Sequence, residues 1–224
     1  MGRAPRIDLA DLIYHVINRA NNRHQIFHTP EDYQHFERLL EEAAQRTSMR
    51  ILAYVLMPNH WHIVLQPKED EGMATFMQWL TLTHTQQYHA KTQTIGHGHL
   101  YQGRYKSFLI EKDSYLLAAI KYVERNPVRA GLSKIVEDWR WGSGYRRLCG
   151  TQYEQKLLSE SPIDLPENYS SWVNQADKED ELSQLRISVA KGTPFGGMEW
   201  TERMVNRFKL VLTTRGRGRP KKGT

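Results

Sequence analysis

Ile51-Leu-Ala-Tyr-Val-Leu-Met57, then Pro58-Asn59, then His60-Trp-His-Ile-Val-Leu65, is the stretch that decides the fold. Two runs of β-branched, aromatic and long aliphatic residues meet at a short breaker, which reads as two strands joined in a hairpin. Side chains alternate across a strand, so His60 and His62 project from one face and Trp61 from the other. Two imidazoles held side by side on a rigid strand make half of a divalent-metal site. A third ligand and a nucleophile have to come from elsewhere in the chain.

Working outward, Leu12-Ile-Tyr-His-Val-Ile-Asn18 reads as a strand, and Asn21-Asn22-Arg23 as a turn. Thr29-Pro30-Glu31-Asp32 is a helix start, with Thr as cap, Pro at the first position and acids in the first turn. That helix runs to about Arg46 with Tyr33, Phe36, Leu39, Leu40 and Ala43 on one face. After the hairpin, a second amphipathic helix spans roughly Met73 to Lys91, residues 94–100 form a loop, and Tyr105 to Ile110 is a strand. Asp113 or Ser114 caps a third helix that Pro127 ends. The order β-α-β-β-α-β-α predicts an α+β, ferredoxin-like antiparallel sheet with an added helix. Helices on one face would leave the other face free for a site.

Domain organisation follows from composition. Residues 1–150 form the folded core, 151–180 a polar linker with Pro162 and Pro166, 181–212 a short helical extension, and 213–224 a basic low-complexity tail. With 25% charged and 39% hydrophobic residues the balance is that of an ordinary globular chain. No apolar run approaches the ~18 residues that span a membrane, and the N-terminus lacks the apolar core of a signal peptide. Cys149 is the only cysteine, which excludes an internal disulfide and any cysteine-cluster zinc site. A cytoplasmic setting fits. Eight basic residues and no acid lie between Arg203 and Thr224, more than the whole net charge of +6, so residues 1–202 are slightly acidic. A tail of this kind meets phosphates, or serves only to solubilise the end of the chain.

The second constellation lies about sixty residues beyond the histidines, in Tyr122-Val-Glu-Arg-Asn126-Pro127. On a helix, positions i and i+4 share a face, which places Tyr122 and Asn126 one turn apart. A phenol can attack phosphorus, and an amide oxygen can ligate a hard cation. Two histidines and one asparagine would leave coordination positions open for a phosphate oxygen and water. The plainer alternative makes Tyr122 a half-buried core aromatic and Asn126 a helix C-cap. Tyr115 competes as nucleophile, but its i+4 partner is Ala119, which ligates nothing. His97 and His99 repeat the His-x-His pattern inside a glycine-rich loop, a poorer scaffold for a metal. Arg104, Lys106 and Lys112 flank the strand that leads to the tyrosine helix and could meet phosphates, or simply line a solvated edge.

His60-Trp61-His62 followed by Tyr122-x-x-x-Asn126 resembles the single-tyrosine transposases of the HUH superfamily, the IS200-like group, where U is a bulky hydrophobe. More narrowly, Met57-Pro-Asn-His-Trp-His-Ile-Val64 and Tyr122-Val-Glu-Arg-Asn-Pro-Val-Arg-Ala-Gly131 resemble the REP-associated tyrosine transposases. Trp141-Gly-Ser-Gly-Tyr145 is similar to a degenerate copy of their Trp-Ser-Ser-Tyr stretch. The likeness covers residues 8–148, and the last eighty residues depart from the short members. It implies a divalent metal, Mg or Mn, held by His60, His62 and Asn126, with Asn126 standing where many members carry Gln. It also implies attack by Tyr122 on single-stranded DNA, a 5′-phosphotyrosine and a free 3′-hydroxyl. The implied substrates are hairpins of repetitive extragenic palindromes, and the implied state is a monomer. Arg217-Gly218-Arg219-Pro220 resembles the core of an AT-hook, so Arg215, Arg217, Arg219, Lys221 and Lys222 become candidate contacts to A·T-rich duplex. Two other readings stay open: a DNA-binding protein derived from a transposase without strand transfer, and a metal-dependent nuclease in which water attacks and Tyr122 only stacks on a base.

Overall fold

Thr29 and Asp32 close a capping box at the head of the first helix, with Pro30 at its first position. The computed structural model describes residues 7–96 and 98–215. The elements run β1 (Ile13–Arg19), α1 (Pro30–Arg46), β2 (Arg50–Met57), β3 (His60–Gln66), α2 (Gly72–Thr92), β4 (Lys106–Ile110), α3 (Ser114–Glu124) and α4 (Asn126–Arg129). They continue with α5 (Ser143–Leu148), α6 (Gln152–Gln155), α7 (Tyr169–Asn174), α8 (Glu179–Lys191), α9 (Met198–Arg207) and α10 (Val211–Thr214). The four strands form one sheet in the order β2-β3-β1-β4, every neighbouring pair antiparallel. This is the expected ferredoxin-like α+β arrangement. Among the described residues no helix is long and apolar enough to cross a membrane.

One face of the sheet, with Tyr14, Val16, Tyr54, Leu56, Trp61 and Ile63, packs on the apolar stripes of α1 and α2. The opposite face was expected to be open, and it is not. Ile13, Val55, Met57, Val64, Phe108 and Ile110 pack there against Leu116, Ala119, Ile120 and Val123 of α3, and against Leu182 and Leu185 of α8. The reason is visible in β2, which is apolar at every position from Ile51 to Met57. Such a run marks a strand buried on both faces.

Residues 151–180 do not behave as a free linker. Leu157 and Val173 are buried, Ser159 donates its backbone N–H to the Ile51 carbonyl at 2.8 Å, and Tyr169 donates to the buried Glu124 carboxylate at 2.6 Å. A few apolar anchors among polar residues suffice to seat the segment. Both sheet edges are met by later chain. Leu56 N–H donates to the Trp141 carbonyl at 2.8 Å, and Phe195 exchanges backbone bonds with the Leu109 carbonyl and the Glu111 N–H at 2.8 and 2.9 Å. Gly142 lies against β2 at the first crossing, where a Cβ would sit 3.3 Å from the Tyr54 carbonyl oxygen.

His84, inside α2, gives this fold a pH signature. It is 3% exposed, and its Nδ1 lies 2.6 Å from the Tyr101 hydroxyl. Burial, with a smaller push from His35, lowers its pKa from 6.5 to about 3. The unfolded chain binds that proton near ~6.5, whereas the folded chain stays neutral until far lower pH. Stability is therefore lost as pH falls from 6.5 towards about 3, by at most ~1.4 kcal/mol per pH unit for this one group. His84→Gln should show a shallower acid loss in urea melts at successive pH values. Equal slopes for the two proteins would remove His84 as the cause.

Candidate active site

The register of the sheet assembles the site. Ile17 stands opposite His62 and Arg19 opposite His60 in the β1–β3 pair, while His15 faces Val64 on one side and Phe108 on the other. Period-2 alternation puts His15, Arg19, His60 and His62 on one face. That face is the one α3 covers. His62 is 2% exposed and His15 fully buried, so the histidine pair is not the surface-facing set that a free face would give. His60, at the strand end, is partly exposed. The His60 and His62 ring centroids lie 5.2 Å apart.

Each imidazole is held through Nδ1. The Asn59 amide donates Nδ2 to the Arg23 carbonyl at 3.0 Å, which turns Oδ1 toward His60 Nδ1 at 2.6 Å. An amide oxygen only accepts, so His60 carries its proton on Nδ1 and keeps a lone pair on Nε2. His62 Nδ1 lies 2.9 Å from His15 Nε2, and His15 stacks on Phe108 at 4.7 Å. Burial pushes His62 well below its ordinary pKa. Burial, aided by the nearby Arg19 charge, brings His60 to about 4. Both rings are thus neutral near pH 7, the form that ligates a metal. The Asn126 side chain has no hydrogen-bond partner among the described residues, and its Nδ2 is buried. Among the described residues no three of His, Cys, Asp and Glu converge on one point, so a third donor has to be an amide or solvent. Two imidazole nitrogens without a bond among the described residues, and an amide side chain without a partner among them, are donors of the kind a divalent ion takes.

Tyr122 meets this set. Its ring centroid is 6.1 Å from that of His62 and 6.3 Å from that of His15. Tyr115 instead packs its ring on Phe195 at 5.0 Å. The Arg129 guanidinium sits over the Tyr122 ring, 4.2 Å from its centroid, and donates to the Tyr122 carbonyl. Burial raises the Tyr122 pKa, while Arg129, Arg186 and Arg19 pull against that rise. Asn126 is not on the same continuous helix as Tyr122. α3 ends at Glu124, and Asn126 opens the separate turn α4. Pro127 has no N–H to continue the ladder, and its ring instead suits the first turn of α4. Asp177, in the segment expected as linker, pairs with both Arg125 and Arg129 at 3.1 and 3.2 Å.

A family model described as transposase IS200 like matches residues 8–126, from ahead of β1 through Asn126 and just over half of the 224 residues. The chain belongs to the IS200-like transposase family. It is a transposase-type enzyme that acts on DNA strands. A Haemophilus influenzae protein provisionally described as a REP-associated tyrosine transposase is 25% identical over 128 residues, covering 54% of this chain and 73% of that one. A solved REP-associated tyrosine transposase, bound to a REP hairpin, aligns with TM-score 0.55 and 19% identity over 75% of this chain and 93% of that chain. A provisionally named transposase from Deinococcus radiodurans aligns with TM-score 0.40 and 19% identity, over 56% of this chain and 97% of that chain.

In this transposase, then, His60, His62 and Tyr122 come together, with Asn126 a turn beyond. Arg104, Lys106 and Lys112 are exposed around β4. Arg104 and Lys106 line a cavity of about 570 Å³ together with Lys191. Arg215 is exposed where the described chain ends, its carbonyl accepting from Lys191. Arg217, Arg219, Lys221, Lys222 and the AT-hook-like stretch lie outside the described residues, as does His97; His99 is exposed. Sequence reading missed Asn59, His15, Arg19 and Arg129. Only Asn59 carried a local signal, as the residue directly before a candidate ligand.

Proposed function

We propose that this transposase cleaves and rejoins single-stranded DNA through a covalent 5′-phosphotyrosine on Tyr122, acting on hairpins of repetitive extragenic palindromes. The observation that carries the reading is the Tyr122 ring beside His62, which pairs with His60, neither imidazole's Nε2 bonding to anything among the described residues. The phenolic oxygen gives up its proton and attacks the scissile phosphorus, the P–O3′ bond breaks, and the 3′ oxygen takes up one proton and leaves as a hydroxyl, so that the proton count is unchanged. The covalent link keeps the phosphodiester energy, so rejoining needs no nucleotide cofactor. A divalent ion, Mg or Mn, held by His60, His62 and Asn126 would supply Lewis-acid polarisation of that phosphate. Asn59 and His15 orient the two imidazoles, and Arg129 stacks on the tyrosine ring. Residues 1–150 supply every proposed catalytic group.

Arg104, Lys106 and Lys112 would meet backbone phosphates, with the tail from Arg215 onward adding contacts, including A·T-rich duplex through its AT-hook-like motif. The hairpin partner is supported by the solved relative, which was captured with a REP hairpin. The same reading has the chain acting as a cytoplasmic monomer. One gel tests it. Labelled hairpin single strands incubated with the protein and Mg should give a denaturation-resistant protein–DNA band that chelator removes. Binding without a band would leave a hairpin-binding protein. Cut DNA without a band would mean that water is the nucleophile.

A further inference from the structure

We propose that Arg19 is a catalytic residue of this site, gripping the non-bridging oxygens of the scissile phosphate. The inference rests on the strand-transfer reading above and adds to it the residue that recognises the reacting phosphodiester. Arg19 is the last residue of β1 and stands directly opposite His60. Its backbone is fixed, with its N–H donating to Asn18 Oδ1 at 3.0 Å and its carbonyl accepting from Gln102 N–H at 2.9 Å. The side chain therefore leaves the sheet on the face that carries His60 and His62.

What sets Arg19 apart is the absence of a partner. Four other buried or partly buried arginines meet acids, and Arg50 bonds to the Gln66 amide and the Glu160 carbonyl. Arg125 and Arg129 meet Asp177 at 3.1 and 3.2 Å, Arg146 meets Glu37 at 3.0 Å, and Arg147 meets Glu124 at 3.2 Å. Arg19 Nε is buried yet bonds to nothing among the described residues. A buried guanidinium edge without a partner is costly, and a fold that gives four other arginines an acid to meet leaves this one open beside the histidines.

The charge balance names the missing partner. Arg19 has no acid partner among the described residues, Arg125 and Arg129 share the one carboxylate of Asp177, and a divalent cation would add positive charge. The group that completes this set is an anion. A phosphodiester suits it, because the guanidinium fork offers parallel N–H donors matched to two phosphate oxygens. Donors placed where charge spreads over the non-bridging oxygens lower the barrier to transfer.

The experiment compares wild type, Arg19→Gln and Arg19→Lys in three measurements: adduct formation with saturating hairpin single strand, Mn affinity of the DNA-free protein, and affinity for inorganic phosphate. For Arg19→Gln the adduct rate should fall by about 10²–10³-fold, the range for loss of one transition-state donor. Phosphate should bind at least about tenfold more weakly, with one charge-assisted pair gone. Mn affinity should hold or rise, because a cation beside His60 has been removed. Arg19→Lys keeps the charge without the fork and should fall between the two. An Arg19→Gln rate within threefold of wild type overturns the proposal, as does unchanged phosphate binding. Parallel loss of rate and Mn affinity also overturns it, since Arg19 would then only hold His60 in place. Should the wild type form no adduct at all, the strand-transfer reading fails by itself, and phosphate binding alone decides whether Arg19 is an anion site.

Discussion

Tyr122→Phe should form no covalent adduct with hairpin DNA while folding and binding it as the wild type does. The substitution removes one oxygen, and that oxygen makes no hydrogen bond among the described residues. Everything the ring does is kept, including its place under Arg129 at 4.2 Å and its edge contacts with His62 and His15. Melting temperature should stay within a few degrees, because surface and packing are conserved and such swaps cost under ~1.5 kcal/mol. The loss of adduct should be complete rather than partial, since no other atom of the side chain can bond to phosphorus. Tyr115→Phe is the control, with its ring on Phe195 and away from the histidines. A silent Tyr115→Phe and a dead Tyr122→Phe are expected together. The reverse pattern would move the nucleophile to the start of α3.

Substituting the two histidines should separate two properties that the sequence ties together. His60→Ala and His62→Ala should each abolish chelator-sensitive cleavage and weaken Mn binding in calorimetry. Their stabilities should differ. His62 is 2% exposed and bonded to His15, so its removal opens a cavity and strands a buried ring nitrogen, a loss of about 2–4 kcal/mol in urea melts. His60 is partly exposed, and His60→Ala should cost under about 1 kcal/mol. Cleavage by the wild type that ignores chelator would sink the ligand assignment. Equal destabilisation by both variants would contradict the buried placement of His62.

The elements that position the site were legible because their signals are local. The capping box at Thr29 and Asp32, the alternation through His60-Trp61-His62 and the stop at Pro127 each lie within a few residues of what they determine. What sequence reading lost is non-local. His15 reads as an ordinary member of an apolar strand, and only the placement of β1 beside β3 makes it the partner of His62. Arg129 and Asp177 lie 48 residues apart in sequence, and nothing in either segment announces the other. The second covered face is a different case. The unbroken apolar run of β2 carried the signal, but the helix order suggested a one-sided sheet and outweighed it. The polar composition of residues 151–180 likewise hid Leu157 and Val173, the anchors that seat it.

The closure of both sheet edges bears on how the chain can be cut. A chain ended at residue 150 would keep His60, His62, Tyr122 and Asn126, yet it would lose Phe195 from the β4 edge and the Ser159 bond from the β2 edge. Unpaired strand edges are templates for other chains. It would also uncover the apolar residues of α3 that Leu182 and Leu185 now shield. The C-terminal third of this chain therefore shields the sheet and α3, and a shortened chain would have to replace that shielding with charge on both edge strands.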